Sequence, residues 1–498
     1  MSETLSSCLF EVACVLLVVN ELYHSLFQSV AIIKICKIVG DFRNHRYYRP
    51  WAPKPVMIPA TKKIMTELSE TAVLSQRAVY ADMFGFKYTL NGLNHSEINT
   101  RKSRLYSRVL QVRGPTQFQE LYPYLDRNLR AFMDLERLSS SAMGPEGTIS
   151  IQLASFSERL LSRLMSAWFF GENMTSDSLF RNALLSHPRQ IKSCAAAFQL
   201  TPTLLAPFVH SIITRRGNAM RLIQHTLNDT IAAGIERWDE PPEIKKVCIH
   251  ALNTSHLYVH TITNILPQQL TLLHQLIDLS EPNRTYWTPE TLSQAILGLW
   301  LAASHQPWVN LHAILLELCV RPEWQDALRK EALEHQGNLA SMIDHLPLLD
   351  SFMRETARFN ALDKVAIRRK ALTDYTFTSG SPIVRAGSVL CVSSYDLTRN
   401  SNIYPDPNHF DGMRFINGRC RDASSRFADV SENHLIWGYG SLACPGRNHA
   451  SFILKMVVVH LVINYTMRLA DPGASRWWAW EDFTMPYEST KVFVTRRG

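Results

Sequence analysis

The segment Trp437–Ala450, which reads WGYGSLACPGRNHA, carries the residues best suited to chemistry. Gly438 and Gly440 permit a backbone that approaches other groups more closely than a side chain would allow. Cys444 follows them and precedes an apolar run, Phe452–Ile463, for which we predict a helix. A cysteine that leads into a helix faces backbone N–H groups and the positive end of the helix dipole, and both stabilise a thiolate. Two interpretations stay open: a ligating thiolate, or a turn that merely precedes a buried helix.

Three further patterns of charge and side-chain size precede the cysteine segment. In SFMRETARF, Glu355 and Arg358 lie one helical turn apart on the same face. If they are buried they must find partners, because an unpaired interior charge costs several kcal/mol. Further along, PNHFDGMRF contains Arg414. Upstream, LWLAASHQPW places two small residues, Ala302 and Ala303, in a long apolar run that we predict to be helical.

Helical periodicity, with apolar residues three or four positions apart, dominates the chain from about residue 65 to 360. The predicted helices include Leu125–Leu135, Phe156–Phe170, Ser293–Leu318 and Pro322–His335. The predicted strands come later and include Tyr375–Thr378, Ser388–Ser393 and Lys491–Thr495. Pro307 lacks an N–H, and we expect it to kink its helix near Ala303. The sequence therefore predicts a mostly α fold with a smaller β portion, in which the helix-rich part comes first.

Two apolar runs, Cys8–Val19 and Leu26–Val39, occupy the N-terminus. Each is shorter than the ~20 residues that cross a bilayer, and charged residues interrupt them. A basic stretch follows, which under the positive-inside rule places the rest of the chain on the cytoplasmic side. We predict a membrane anchor over residues 1–40, a basic, proline-rich hinge over 41–60 and a catalytic domain over 61–498. A signal peptide and a buried amphipathic helix are the competing interpretations.

The composition of the 498-residue chain is that of a folded globular protein, with 46% hydrophobic and 19% charged residues. The net charge of +8 is spread along the chain, and no zinc-finger spacing or RNA-binding motif accompanies it. We therefore expect no nucleic-acid partner, and a surface that faces anionic lipid or an acidic redox partner explains the charge better. The nine cysteines contain no Cys-x-x-Cys pair, which argues against a disulfide framework and a structural zinc site.

These four patterns, in this order, resemble the cytochrome P450 superfamily, and the Ala-Ala-Ser-His and Cys-Pro-Gly-Arg segments look like its fungal members. The resemblance covers about residues 50 to 498 and implies a cytochrome P450-like haem-thiolate fold. It implies haem b as the cofactor, with the Cys444 thiolate as the axial ligand of the iron. The residues that it places beside the haem are Trp437, Gly438 and Gly440 in the cysteine loop and Ala302 and Ala303 in the distal helix.

The resemblance also implies roles for four charged residues. It makes Arg414 the partner of Glu355 and Arg358 in a structural network that holds the cysteine loop in place. It makes Arg369 a ligand of a haem propionate, with Arg368 as the adjacent alternative. An exposed strand arginine is the competing interpretation of Arg369.

The sequence departs from the family pattern on both sides of the haem. Trp437 stands where phenylalanine is usual, and Leu442 stands where His or Arg often contacts a propionate. In the distal helix, His305 and Gln306 replace the acidic residue and the threonine that deliver protons to dioxygen. We predict that His305 and Gln306 are catalytic, through proton relay by the imidazole and water binding by the amide. The alternative is that both fill space around a distortion at Pro307.

The resemblance implies a monooxygenase that uses O2 to oxidise a lipophilic small molecule, an intermediate of a fungal secondary metabolite such as a terpenoid or alkaloid. Its electrons would come from NADPH-cytochrome P450 reductase. The expected location is the endoplasmic reticulum membrane, with the catalytic domain facing the cytosol. Because the distal threonine is replaced, a reductase-independent isomerase or dehydratase is one alternative, and a non-catalytic haem-binding relative is another.

Overall fold

The computed structural model describes residues 40–41, 46–47, 54–90, 105–139, 148–201, 203–239, 266–416, 418–422 and 424–498. In these ranges the α-helices are α1 (Lys62–Glu70), α2 (Gln76–Phe84), α3 (Phe86–Thr89), α4 (Phe118–Ser139), α5 (Leu153–Ser176), α6 (Ser178–Leu200), α7 (Ala206–Ile213), α8 (Asn218–Asp239), α9 (Leu272–Ser280), α10 (Pro289–Val320), α11 (Glu323–Glu334), α12 (Leu339–Met342), α13 (Pro347–Phe359), α14 (Ser394–Thr398) and α15 (Arg447–Asn464). A π-helical turn, Arg108–Arg113, and a 3-10 turn, Gly114–Gln117, precede α4.

The strands are short and form small sheets at the edges of the helical body. They are β1 (Gly40–Asp41), β2 (Arg46–Tyr47), β3 (Val56–Met57), β4 (Leu74–Ser75), β5 (Ile149–Gln152), β6 (Val365–Ala371), β7 (Tyr375–Thr376), β8 (Ile383–Val384), β9 (Val389–Ser393), β10 (Tyr465–Leu469), β11 (Trp477–Trp480), β12 (Phe483–Pro486) and β13 (Lys491–Arg496). Their orders are β1-β2-β11-β12, β3-β9-β6-β4, β10-β13-β5 and β7-β8.

The architecture is mostly α with a smaller β portion, so the predicted fold class is confirmed. The four predicted helices correspond to α4, α5, α10 and α11, and the apolar run after the cysteine loop lies within α15. The three predicted strands correspond to β7, β9 and β13. Long apolar periodicities therefore predicted their elements well, because each buries its own apolar stripe in the core.

Helix α10 is the central element of the body and packs against α5 and α8. Thr288 caps its first turn by accepting a hydrogen bond from the N–H of Thr291. The helix continues through Pro307, so the expected kink does not interrupt it. An interior proline costs about 3 kcal/mol, and burial of the side chains that follow it, Trp308 and Val309 among them, offsets this cost.

Sheet β3-β9-β6-β4 carries an irregularity that bears on the site. The register between β6 and β9 shifts between Ala366 and Arg369. Ile367 lies at this bulge with a φ of 53°, a conformation that a β-branched residue rarely adopts. A bulge re-aims the side chains beside it, and here those side chains are Arg368 and Arg369.

The described parts of the predicted hinge take part in the sheets of the body. Strand β2 pairs with β11, and β3 pairs with β9, both in parallel. No helix among the described residues is long and apolar enough to span a bilayer. The predicted anchor, apart from Gly40, lies outside the described residues, and the domain boundaries stay predictions.

We predict that His449 makes the fold sensitive to acid. Its ring lies between Trp168 and Phe118, at centroid distances of 4.3 and 4.9 Å, and burial lowers its pKa to about 3. Because an unfolded histidine titrates near 6.5, the unfolded chain binds one more proton between those values. The free energy of unfolding should therefore fall by roughly 1.4 kcal/mol per pH unit from this group as the pH drops through that window.

Denaturant unfolding of His449→Phe between pH 7 and 4 tests this expectation. The variant should lose stability with acid less steeply than the parent chain. His225→Gln, which removes an exposed histidine from α8, is the control. Equal slopes for His449→Phe and the parent would contradict the argument.

Candidate active site

The cysteine loop is built on two tight turns, Leu435–Trp437 and Gly440–Leu442. Gly438 has a φ of 79°, and a Cβ there would lie 2.4 Å from the carbonyl oxygen of Leu442. The N–H of Cys444 donates to the carbonyl oxygen of Trp437 at 2.7 Å, which closes the loop. The sequence interpretation of Gly438 as a close-approach position thus has a physical basis in this turn.

The Cys444 sulfur lies just before the N-terminus of α15, which begins at Arg447. Burial raises the pKa of the Cys444 thiol, while the N–H groups of Gly446 and Arg447 and the charge of Arg447 act in the opposite direction. The Arg447 guanidinium also donates to the carbonyl oxygen of Cys444 at 3.0 Å. Cys444 is a free cysteine, and its setting at a helix N-terminus suits a thiolate ligand.

Trp437 is held by its own indole N–H. Its Nε1 donates to the carbonyl oxygen of Phe427 at 2.6 Å, and the two rings meet edge to face at 5.3 Å. The family pattern has phenylalanine at this position, and phenylalanine has no such donor. Trp437 therefore ties the cysteine loop to the segment that precedes it.

The structure brings together the three residues of the implied charge network. The Arg358 guanidinium donates to both carboxylate oxygens of Glu355, at 2.6 and 2.8 Å. Arg414 Nε donates to Glu355 Oε2 at 3.0 Å, and the N–H of Asp411 donates to Oε1 at 2.9 Å. Glu355, Arg358 and Arg414 are all buried, so each charge is paired where an unpaired one would be costly.

Arg368 and Arg369 are both buried but differ in their partners. Arg368 pairs with Asp363 through two hydrogen bonds. Arg369 donates from one nitrogen to the carbonyl oxygen of Thr71 at 2.9 Å, and its buried Nε has no partner among the described residues. Burial lowers the pKa of Arg369 to about 10. Arg369 is therefore the arginine that retains a donor for an anionic group such as a propionate.

The middle of α10 presents one open face. Ala302 and Gln306, four residues apart, are exposed within a helix that is otherwise largely buried, and Ala303 is half-buried. Ala303 and Trp437 pack against the same hydrophobic core. The small side chains of Ala302 and Ala303 leave room for a flat group to approach the helix backbone.

His305 lies three residues after Ala302 on α10, and it is more buried than either Ala302 or Gln306. Its ring centroid lies 5.7 Å from that of Trp308, and Lys192 Nζ lies 5.4 Å from the Trp308 ring. Burial and the charge of Lys192 lower the pKa of His305 well below its usual range. The imidazole is therefore neutral at pH 7, and its buried Nδ1 has no partner among the described residues. A neutral imidazole both donates and accepts hydrogen bonds.

These residues fit a haem in three respects. The thiol stands in a glycine-bounded loop at a helix N-terminus, Arg369 keeps a buried donor without a partner in the described part of the chain, and α10 has an exposed alanine, Ala302, beside the half-buried Ala303. Cys444 would hold the iron through its thiolate, and Arg369 would pair with a propionate. The roles of Trp437, Gly440, His305 and Gln306 toward that group stay predictions.

Sequence reasoning missed several charged residues around the site. Asp350 and Arg354 lie on the same helix as Glu355, and Lys192 and Lys455 lie on α6 and α15. The pattern Asp350, Arg354, Arg358, with charges every four residues in an apolar helix, could have indicated a second buried network on α13. No local pattern marks either lysine as buried.

Known proteins resemble this chain in sequence and in fold. A family model described as "Cytochrome P450" matches residues 129–489. The cytochrome P450 monooxygenase ltmQ of Epichloe festucae var. lolii is 26% identical over 452 residues, which cover 85% of this chain and 79% of that one. The cytochrome P450 monooxygenase ausG of Emericella nidulans is 29% identical over 325 residues, covering 63% and 56%. The structure of retinoic acid-bound cyanobacterial CYP120A1 aligns with a TM-score of 0.63 at 16% identity and covers 86% of each chain, a likeness of fold.

We predict that Cys444→Ser abolishes the thiolate-ligated haem spectrum. The test is the absorption spectrum of the purified, dithionite-reduced protein under carbon monoxide, in which a thiolate opposite carbon monoxide gives a strongly red-shifted Soret band. Serine keeps the size and loses the soft donor atom. Cys420→Ser, at another half-buried described cysteine, is the control and should keep the band. A red-shifted band in Cys444→Ser would show that the ligand lies elsewhere.

Proposed function

The chain belongs to the cytochrome P450 family, and from this premise we propose that it is a haem-thiolate monooxygenase that oxidises a lipophilic intermediate of fungal secondary metabolism. A terpenoid or alkaloid skeleton is the substrate class that we favour. The relatives named as cytochrome P450 monooxygenases come from fungi and support the fungal monooxygenase part of the proposal. The observation that carries the proposal is the Cys444 thiol in a glycine-bounded loop at the start of α15.

When bound, the haem supplies an iron centre that activates O2 for insertion of one oxygen atom into the substrate. Cys444 would hold the iron, and its neighbouring N–H groups would favour the anionic sulfur. Arg369 would hold a propionate and so orient the ring. Ala302 and Ala303 would let the helix backbone pass close to the distal face.

Gln306 and His305 divide the distal task in this proposal. Gln306, on the open face of α10, would hold a water by its amide. His305, one residue earlier, would pass protons from the neighbouring face as a neutral imidazole, with Nδ1 available. Gln306 then takes the place of the threonine that is usual in the family, and His305 that of the acid.

Electrons would come from NADPH-cytochrome P450 reductase. Three arginines, Arg419, Arg421 and Arg426, are exposed in the segment that precedes the cysteine loop. Phe427, the next residue, accepts the Trp437 indole hydrogen bond, which connects this basic segment to the thiolate side of the site. A basic surface here favours an acidic redox partner and makes its association dependent on ionic strength.

The catalytic body would attach to the endoplasmic reticulum membrane from its cytosolic side. Helix α7 and the turn before it expose Leu204, Phe208 and Ile212, while Ala206 and Val209 of the same helix are buried. An exposed apolar face of this kind suits a membrane surface.

Binding to liposomes, measured by sedimentation, should weaken for Leu204→Ser/Phe208→Ser/Ile212→Ser. It should not weaken for Leu135→Ser/Leu138→Ser, which changes exposed leucines on α4. Equal binding by both variants would contradict the assignment.

The test of the proposed function combines spectrum and turnover. The purified chain should show the red-shifted carbon monoxide band and convert lipophilic terpenoid or alkaloid candidates only with reductase, NADPH and O2. One oxygen atom of the product should derive from 18O2. Turnover of a lipid hydroperoxide without NADPH would instead identify an isomerase or dehydratase. Haem binding without any turnover or substrate-induced spin shift would identify a non-catalytic relative.

We predict that Gln306→Thr improves the coupling of NADPH use to product. The threonine hydroxyl donates and accepts through one oxygen atom, whereas the amide of Gln306 divides these functions between its nitrogen and its oxygen, and positioned proton transfer strongly affects rate. Peroxide released per NADPH should fall by at least about twofold, a small part of the roughly 10²–10⁴-fold contribution that positioned proton transfer can make. Gln306→Ala is the control, because it removes the amide without supplying a hydroxyl, and it should not improve coupling. Unchanged or worse coupling in Gln306→Thr would mean that the amide suits this reaction.

A further inference from the structure

Lys455 is a fully buried lysine on α15 that the catalytic scheme does not use. Its Nζ lies 2.8 Å from Asp350 Oδ2 on α13, and both side chains are almost wholly inaccessible to solvent. A second carboxylate, on Asp344, lies 3.7 Å from the same amine. Burying such charges is expensive, and a buried ion pair is weak evidence for stability by itself. Stability alone therefore does not explain why this ion pair is buried.

The other oxygen of Asp350 begins a continuous line of hydrogen bonds to the cysteine loop. Asp350 Oδ1 accepts from the N–H of Phe427 at 2.7 Å. The carbonyl oxygen of Phe427 accepts from Trp437 Nε1 at 2.6 Å. The carbonyl oxygen of Trp437 accepts from the N–H of Cys444 at 2.7 Å. Each step is short and connects to the next through one residue.

The two ends of this line of hydrogen bonds, Cys444 and Asp350, are also connected through α15. Cys444 leads directly into α15, and Lys455 lies about two turns along that helix. The ion pair thus joins the helix that leaves the loop to the segment that anchors the loop's beginning. Arg354 holds the same segment from the other side, since it donates to the carbonyl oxygens of Arg426 and Asp429, both at 3.0 Å.

We propose that the Lys455–Asp350 ion pair positions the haem-ligating thiolate through Phe427 and Trp437. The pair sets where the Phe427 peptide lies, that peptide sets the indole of Trp437, and the Trp437 carbonyl sets the Cys444 backbone. Trp437 is the necessary connection, because phenylalanine offers no donor to the Phe427 carbonyl. Lys455 and Asp350 are positioning residues and touch neither the sulfur nor the distal face.

The test is the double substitution Asp350→Leu/Lys455→Met in the full-length, haem-loaded protein. Hydrophobic residues of similar volume often replace a buried ion pair without loss of stability, while here they remove the acceptor for the Phe427 N–H. The ferrous carbon monoxide complex of the double variant should convert from its thiolate form to its neutral-thiol form about tenfold faster than that of the parent protein. The readout is the decay of the red-shifted Soret band, and no substrate is needed.

Glu317→Leu/Arg321→Met is the matched control. Glu317 is also buried, pairs with Arg321 and accepts from Asn360 Nδ2 at 2.8 Å, and it has no hydrogen bond to the cysteine loop. The decay rate of this control should stay within about twofold of the parent's rate, a much smaller change than the roughly tenfold acceleration expected for Asp350→Leu/Lys455→Met. Equal decay rates in the two double variants would overturn the proposal, whether both are fast or both are slow.

Trp437→Phe provides an independent test that leaves the ion pair in place. Alone it should accelerate the decay, because the Phe427 carbonyl loses its donor. In the Trp437→Phe background, Asp350→Leu/Lys455→Met should cause no further acceleration, because the connection is already cut. Additive effects of the two changes, or an unchanged rate in Trp437→Phe, would exclude Trp437 as the connection. Since all readouts are spectroscopic, they stand apart from any failure to find the substrate.

Discussion

The buried charges of α13 are the constraint on which the rest of the catalytic side depends. Glu355 accepts hydrogen bonds from two arginines and one peptide N–H, and Arg358 donates onward to the carbonyl oxygens of Thr398 and Pro407. Charges removed from water must be paired, or the fold loses several kcal/mol for each. The described residues between α14 and the cysteine loop are therefore held against this helix by hydrogen bonds to its buried charges.

The same helix reaches the cysteine loop by a second route. Asp350, five residues before Glu355, accepts from the N–H of Phe427, and Arg354, the residue next to Glu355, donates to the carbonyl oxygens of Arg426 and Asp429. Trp437 then transfers this constraint to Cys444. The thiol consequently sits at the start of α15 with its backbone fixed from both directions. Rigid support of this kind is what a metal ligand needs, because outer contacts orient the donor atom.

On the distal side, one helix carries both the exposed residues and the more buried imidazole. Ala302 and Gln306 lie on the open face of α10, whereas His305 and Trp308 meet Lys192 of α6. The family usually has an acidic residue where this chain has His305. Burial lowers the pKa of His305, and the charge of Lys192, which would stabilise an acid, lowers it further because it disfavours a second positive charge. The substitution and its surroundings thus act together on the protonation state of His305.

The amino-acid sequence determined the elements whose information is local. The periodicity of α10 and α15, the glycines around Cys444 and the spacing of Glu355 and Arg358 depend on neighbours within a few turns of the chain. The sequence also left Arg368 and Arg369 as alternatives, and the tertiary structure separated them. A bulge at Ile367 lets Arg368 pair with Asp363, while Arg369 keeps a free donor.

Pairings between distant segments were decided only by packing. Lys455 and Asp350 are 105 positions apart, and nothing near either residue specifies the other. The approach of Lys192 to Trp308 and the exposure of Ala302 likewise arise where separate helices meet. The periodicity of a helix can be detected in the sequence because it depends on neighbouring positions. The partner of a buried charge is fixed only in the folded core, since only burial makes an unpaired charge costly.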